Sequence, residues 1–140
     1  MLITPHLTFD GNCREAFPFY AECLDGQVTL MLTYGESPLA AQTSPERHHE
    51  ILHATLTFGD RTVTGADAMP GEYVAPRGIS LLLHIDDAAR AERIFASLGV
   101  GGSIQMPLQR TFWAGRFGMV TDRFGIPWMI NVPLPSAPDP

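Results

Sequence analysis

The same order of elements can be read twice along this chain, and that duplication constrains the fold more than any other feature. From the N-terminus, Ile3 to Phe9 alternate apolar and polar side chains and end at Asp10-Gly11-Asn12, the pattern of a half-buried strand leading into a turn. Ala16, Phe17, Tyr20, Cys23 and Leu24 recur at helical spacing, which predicts a helix over Cys13 to Leu24 with Asp10 or Asn12 as its cap. Pro18 inside this window is a point where the helix could kink or restart. Asp25-Gly26 ends it. Three strands follow, Val28 to Tyr34, Ile51 to Phe58 and Arg61 to Gly65, the last two joined by the hairpin signal Gly59-Asp60. The second half repeats this order. Ile79 to Ile85 is a strand, Asp86-Asp87 a cap, and Ala88 to Leu98 a helix stopped by Gly99. Ile104 to Trp113, Phe117 to Thr121 and Pro127 to Val132 then read as strands.

A duplicated βαβββ unit predicts an α+β fold in which two four-stranded sheets form one cupped, eight-stranded mixed sheet, with one helix per module on the outer face. The chain is read as a single domain with modules at about 1–70 and 77–133. Alternate residues of a strand face opposite sides. Ile3, Leu7 and Phe9 therefore oppose Thr4, His6 and Thr8, and Ala54, Leu56 and Phe58 oppose His53, Thr55 and Thr57. Leu81, Leu83 and Ile85 oppose Ser80, Leu82 and His84, and Trp128, Ile130 and Val132 oppose Met129 and Asn131. The apolar faces suit burial beneath the helices. The Thr- and His-rich faces must meet solvent or a polar cavity, because burying an unpaired polar group is costly.

Two segments stand outside this pattern. Gly35 to His49 is a long polar stretch with Pro38 and Pro45, a candidate lid or partner-clasping arm. The tail from Pro133 to Pro140 is Pro-rich and lacks a core pattern. A formal net charge of −6 without a basic run excludes nucleic acid and anionic membrane as partners. No secretory signal and no membrane-length apolar run is visible, so a cytoplasmic protein is expected. Cys13 and Cys23 fall ten residues apart on one helix, about 15 Å along its axis, too far for a disulfide with each other. They read as reduced packing thiols.

Several stretches resemble the PhnB-like branch of the glyoxalase/bleomycin-resistance/dioxygenase (vicinal oxygen chelate) superfamily. They are Phe9 to Ala16, Phe19-Tyr20, Tyr34 to Pro38, Gly65 to Pro70 and, most specifically, Phe112 to Asn131. The resemblance implies paired βαβββ modules and a homodimer. It also implies, in the metal enzymes of the superfamily, one divalent ion held by His, Gln or Glu and acting as a Lewis acid on vicinal oxygens of a substrate. Carried over residue by residue, the usual ligand positions fall on Thr4, on Thr64 or Gly65, on Ser80 and on Met129. None of these is a typical ligand for Zn²⁺, Ni²⁺ or Mn²⁺. The expectation is that the usual metal site is lacking and that no cofactor is required, a divalent metal on non-standard ligands being the disfavoured alternative.

His6, His53 and His84 share the polar parity, and as pocket histidines His6 and His53 are the candidate acid/base residues. The candidate ligand pocket comprises Thr4, His6, Thr8, His53, Thr55, Thr64, Ser80, His84, Trp113, Met129 and Asn131. His48-His49-Glu50 has the composition of a two-His-one-carboxylate site, but neighbouring residues on an extended chain point apart, so a solvated junction is expected. Trp113 is open between core, pocket wall and dimer contact, and Arg110 and Arg116 between surface positions and a grip on an anionic ligand group. Asp122 is expected to fix its own turn through backbone amides. No nucleophile triad can be defended from spacing, and Gly99 to Gly102 follows a helix rather than opening one, so it is no phosphate loop. A methyltransferase label, sometimes attached to such sequences, finds no nucleotide-binding glycine loop here. Two functions are carried forward: a small-molecule-binding protein, or a lyase or isomerase using a pocket histidine.

Overall fold

Twelve short elements appear in the computed structural model, which describes residues 1–135. The chain divides into two compact units, Met1–Val74 and Ala75–Pro140. In the first, β1 (His6–Phe9), α1 (Cys13–Leu24), β2 (Gln27–Thr33), β3 (Ile51–Phe58) and β4 (Arg61–Asp67) build a mixed sheet of order β1-β4-β3-β2. In the second, β5 (Leu81–His84), α2 (Ala88–Gly99), β6 (Ser103–Gln109), β7 (Arg116–Thr121) and β8 (Pro127–Val132) give β5-β8-β7-β6. Each unit is thus βαβββ, with its first strand parallel to its last and the others antiparallel. Among the described residues no helix is long and apolar enough to cross a membrane. Of the Pro-rich tail, Pro133 to Pro135 are exposed and irregular, and residues 136–140 lie outside the described residues.

Each helix covers the apolar face of its own sheet. Phe9, Cys13, Ala16, Phe17, Tyr20, Ala54 and Leu56 are fully or almost fully buried in unit 1; Ala91, Leu98, Val120, Ile126, Trp128 and Ile130 do the same in unit 2. Phe17 meets Phe9 and Tyr20 edge-on, with ring centroids 5.9 and 6.1 Å apart, contacts worth about 0.5–1.5 kcal/mol each beyond their burial. The closest helix–sheet approaches repeat between units. A β-carbon added at Gly65 on β4 would lie 2.7 Å from the Phe17 ring, and one at Gly118 on β7 would lie 2.8 Å from the Phe95 ring. At these two positions only glycine leaves room for a phenylalanine to reach the sheet.

The first capping expectation is corrected. Asn12 stands at the N-cap of α1 but makes no side-chain cap bond, and Asp10 is exposed. The Cys13 N–H instead donates to Oδ1 of Asp67 at 3.0 Å, while Oδ2 of the same carboxylate accepts from the Ile51 N–H at 2.8 Å. β4 therefore runs past Gly65 to Asp67, because a buried carboxylate at its end closes both the helix and the start of β3. In unit 2 the expected local cap forms, Asp87 accepting from the Ala89 N–H at 3.0 Å. Pro18 lies exposed within an uninterrupted α1, and Asp25 ends that helix in the left-handed region at φ 53°.

Several strand boundaries also differ. β1 begins at His6 rather than Ile3, since Pro5 has no N–H to offer the ladder and pairs only through its carbonyl, from Thr64 N–H at 3.0 Å. β5 is shorter than expected at both ends, and β2 starts one residue early. β6 stops at Gln109, because the Thr111 N–H turns back to the Ala114 carbonyl at 3.1 Å. The arm from Gly35 to His49 contains two 3₁₀ turns, Pro38–Gln42 and Pro45–Arg47. It is pinned rather than loose: Gly35 N–H donates to the His48 carbonyl at 3.0 Å, and the Ser37 hydroxyl to Tyr34 O at 2.7 Å.

Candidate functional site

The face of each sheet opposite its helix carries the residues singled out by parity. In unit 1 the register sets His6 beside Thr64, Thr64 beside Thr55, and Thr55 beside Leu30, a row across all four strands. Nδ1 of His6 and Oγ1 of Thr64 are 2.7 Å apart. His53 lies two residues along β3 and pairs with Leu32, and its ring is nearly parallel to that of His6, centroids 6.2 Å apart at 15°. Partial burial, and secondarily the neighbouring His53, hold the His6 imidazole below its ordinary pKa. In the tautomer whose Nδ1–H donates to the Thr64 hydroxyl, Nε2 is left to accept a proton. Thr8, paired with Ala66, completes this face, and Thr4 is exposed just ahead of β1.

Unit 2 presents a different chemistry on the equivalent face. One row runs His84, Asn131, Phe117, Gln109, and the next runs Leu82, Met129, Met119, Met106. Asn131 Nδ2 and His84 Nδ1 are 3.4 Å apart, a long contact. Three methionines in cross-strand register make a soft, deformable floor suited to apolar or aromatic surfaces. Trp113, expected on β6, stands instead in the turn after it. Its ring packs edge-on against Phe117 at 5.5 Å and against Phe112 at 4.8 Å, and it stays 47% exposed. It is therefore neither core nor strand residue; through Phe117 it joins the open face. Ser80, Leu82, Thr121 and Met129 line an open cavity of about 580 Å³ on this sheet.

Of the residues singled out by alternation, His6, Thr8, His53, Thr55 and Thr64 stand on strands of unit 1 and His84, Met129 and Asn131 on strands of unit 2, while Thr4 and Ser80 lie just ahead of β1 and β5. The sequence reading missed Met106 and Met119. The signal was present for Met119, which is two residues from Phe117 on one strand, but Met106 was hidden by register shifts in β6, where a simple count of alternation fails.

Other candidates are occupied elsewhere. His48 Nε2 lies 3.0 Å from Ala40 O and 2.9 Å from Thr43 O, and so ties the arm together. Glu50 pairs with Arg47 at 2.5 Å, and the His49 carbonyl accepts from Arg14 at 3.1 Å. Arg116 donates to the Gly115 carbonyl at 2.8 Å and lies 3.7 Å from Glu92 on α2, which removes it from any anion grip on the open face. Arg110 is exposed. The Asp122 carboxylate accepts from Phe124 N–H at 2.8 Å, Ile126 N–H at 3.1 Å and Trp128 Nε1–H at 2.8 Å, the turn-fixing role expected of it. Burial, followed by the charges of Asp67 and Glu15, pushes the Cys13 thiol far above its ordinary range, so it is a packing group and not a nucleophile.

The donor set at the superfamily's usual metal positions does not fit a divalent ion. Thr64 Oγ1 is engaged with His6, Ser80 and Met129 offer a hydroxyl and a thioether, and Thr4 stands in solvent. No group of three or more His, Cys, Asp or Glu side chains converges among the described residues.

Comparison with known proteins agrees with the architecture. A family model described as 3-demethylubiquinone-9 3-methyltransferase matches residues 1–131. The chain belongs to this family. It is 36% identical to protein YjdN of Escherichia coli strain K12, over 94% of this chain and 95% of that one. The crystal structure of protein PA1353 from Pseudomonas aeruginosa is 44% identical with a TM-score of 0.89, covering 95% of this chain and 98% of that one. The PhnB protein from Bacillus cereus is 24% identical with a TM-score of 0.81, covering 94% and 99%. A glyoxylase/bleomycin resistance protein/dioxygenase domain from Frankia sp. EAN1pec shares the fold at 13% identity and a TM-score of 0.64, covering 96% and 98%.

Proposed function

We propose that this PhnB-like protein binds a small molecule with a flat apolar part on the open face of unit 2, without the divalent ion usual in its superfamily. The observation that carries this reading is the row Leu82, Met129, Met119, Met106, beside Phe117 and Trp113. Met129 stands where a metal-binding relative would place a carboxylate, so that position supports an apolar floor in place of a metal ligand. Thioether and aromatic surfaces grip through dispersion and sulfur–aromatic contact, which contribute about 0.3–1.5 kcal/mol per contact. The family's description names a methyltransferase. In this chain the turn from β1 to α1 holds one glycine, Gly11, and the turn from β5 to α2 holds none, so no dinucleotide-type cofactor loop supports methyl transfer.

The test is intrinsic fluorescence with anilinonaphthalene sulfonate as the probe. Trp128 is buried and Trp113 half-exposed, so binding on this face quenches the Trp113 signal saturably, and Trp113→Phe abolishes the quenching. Met119→Lys weakens binding by about tenfold, roughly 1.4 kcal/mol. Unsaturable quenching, or equal affinity in Met119→Lys, would refute the reading.

One observation favours a second reading, a lyase or isomerase. The His6 imidazole is held neutral with its Nδ1 against Thr64, an arrangement suited to a general base. Turnover of a carbonyl substrate lost in His6→Ala and retained in His84→Ala would establish it; equal loss in both would not.

A further inference from the structure

The arm from Gly35 to His49 and the residues after β4 enclose a second cavity, lined wholly by unit 1 residues and separate from that unit's open face. Its volume is about 260 Å³; Tyr34, Gln42, Thr43, Ser44 and Arg47 line it, with Met69 and Pro70 as an apolar wall. Hydrogen-bond accounting shows what these groups still offer. The Tyr34 hydroxyl donates to Asp67 O at 3.2 Å, the Thr43 hydroxyl donates to Leu39 O at 2.8 Å, and the Ser44 hydroxyl is bonded to the Glu46 carboxylate. A hydroxyl has one proton and two lone pairs, so all three retain accepting capacity. Arg47 spends Nη2 on Glu50 Oε2 at 2.5 Å and on Ala68 O at 2.8 Å. Among the described residues its Nη1 and Nε have no acceptor, and the Gln42 amide adds a donor.

A cationic fork, an amide donor, three accepting oxygens and an apolar wall therefore surround one small space. Glu50 neutralises Arg47, so the field does not favour a bare anion; a ligand carrying both charges matches it better. The volume falls below the ~300–1,000 Å³ of drug-sized pockets, which limits the ligand to a few heavy atoms. We propose that this cavity binds a small zwitterionic amino acid. Its carboxylate meets Arg47 and Gln42, its ammonium group meets the oxygens of Tyr34, Thr43 and Ser44, and its side chain rests against Met69. This site stands apart from the proposed function and does not depend on it.

The experiment is an NMR titration of the whole chain, following the Gln42 side-chain amide and the Met69 methyl group. The probes are L-alanine, propionate and ethylamine, which remove one charged group at a time. L-Alanine shifts both signals saturably with a Kd on the order of 1 mM, while propionate and ethylamine bind at least about tenfold more weakly. Gln42→Ala and Ser44→Ala, both at exposed positions, each weaken L-alanine binding several-fold and leave the unfolding midpoint unchanged. Arg47→Lys, which keeps the charge and loses the fork, also weakens L-alanine binding several-fold. Propionate binding as tightly as L-alanine, no saturable shift, or shifts that survive Gln42→Ala together with Ser44→Ala would overturn the proposal.

Discussion

At the scale of single residues, two buried carboxylates do more to shape this molecule than any histidine. Asp67 joins the start of α1 to the start of β3, and Asp122 satisfies two backbone amides and the Trp128 indole. Asp122→Ala removes the carboxylate acceptor of three buried donors, at about 1–3 kcal/mol each. Trp128→Phe removes one of those donors and leaves the others served. Urea unfolding is expected to show a loss of at least about 3 kcal/mol for Asp122→Ala and a clearly smaller hydrogen-bond loss for Trp128→Phe. Equal stability of Asp122→Ala and wild type would contradict the assignment. His6 sets a pH dependence of definite sign. Its folded pKa lies below the unfolded value near ~6.5, so the unfolded chain binds more protons between the two. This contribution to stability is complete above pH ~6.5 and is lost as the pH falls through that value toward the folded pKa. His6→Gln therefore flattens the acid side of the stability profile. An unchanged slope would show that His6 is not the responsible group.

At the scale of elements, helix-to-sheet packing repeats through a glycine beneath a phenylalanine, Gly65 under Phe17 and Gly118 under Phe95. Either glycine replaced by alanine forces the ring or the helix outward, costing about 1–3 kcal/mol. Thermal unfolding of the two single variants checks this, and a midpoint equal to wild type would mean the ring yields freely. Much of this level was legible in advance. Parity separated Phe9, Leu56, Trp128 and Ile130 from His6, Thr55, Met129 and Asn131, because a half-buried strand writes its two faces into alternate residues. Strand ends were less legible: Pro5 cuts β1 short because it has no N–H to donate, and the Thr111–Ala114 turn ends β6 through a hydrogen bond that no periodicity records. Asp67 as the cap of α1 was illegible for a related reason, since 54 residues separate it from Cys13 and only the sheet brings them together.

At the scale of the whole molecule, the duplicated βαβββ order carries two unlike open faces. One is rich in threonine and histidine, and the other pairs a methionine row with exposed aromatic rings. The candidate site was legible residue by residue through Ser80, His84, Met129 and Asn131. Its character was not, because a row such as Met129, Met119, Met106 exists only once the register is fixed. The homodimer implied by the family resemblance is expected to show as twice the mass of 15.3 kDa in light scattering, and a monomer at micromolar concentration would contradict it. The central claim, a metal-independent grip on the methionine row, is tested most directly by methyl NMR. The chain has six methionines, so ¹³C-methyl-methionine labelling reports on both units at once. In chelator-treated protein, anilinonaphthalene sulfonate is predicted to shift Met106, Met119 and Met129 while Met1, Met31 and Met69 stay in place, and added Zn²⁺ is predicted to change neither pattern nor affinity. Shifts confined to Met31 and Met69, or binding that appears only with Zn²⁺, would contradict the account.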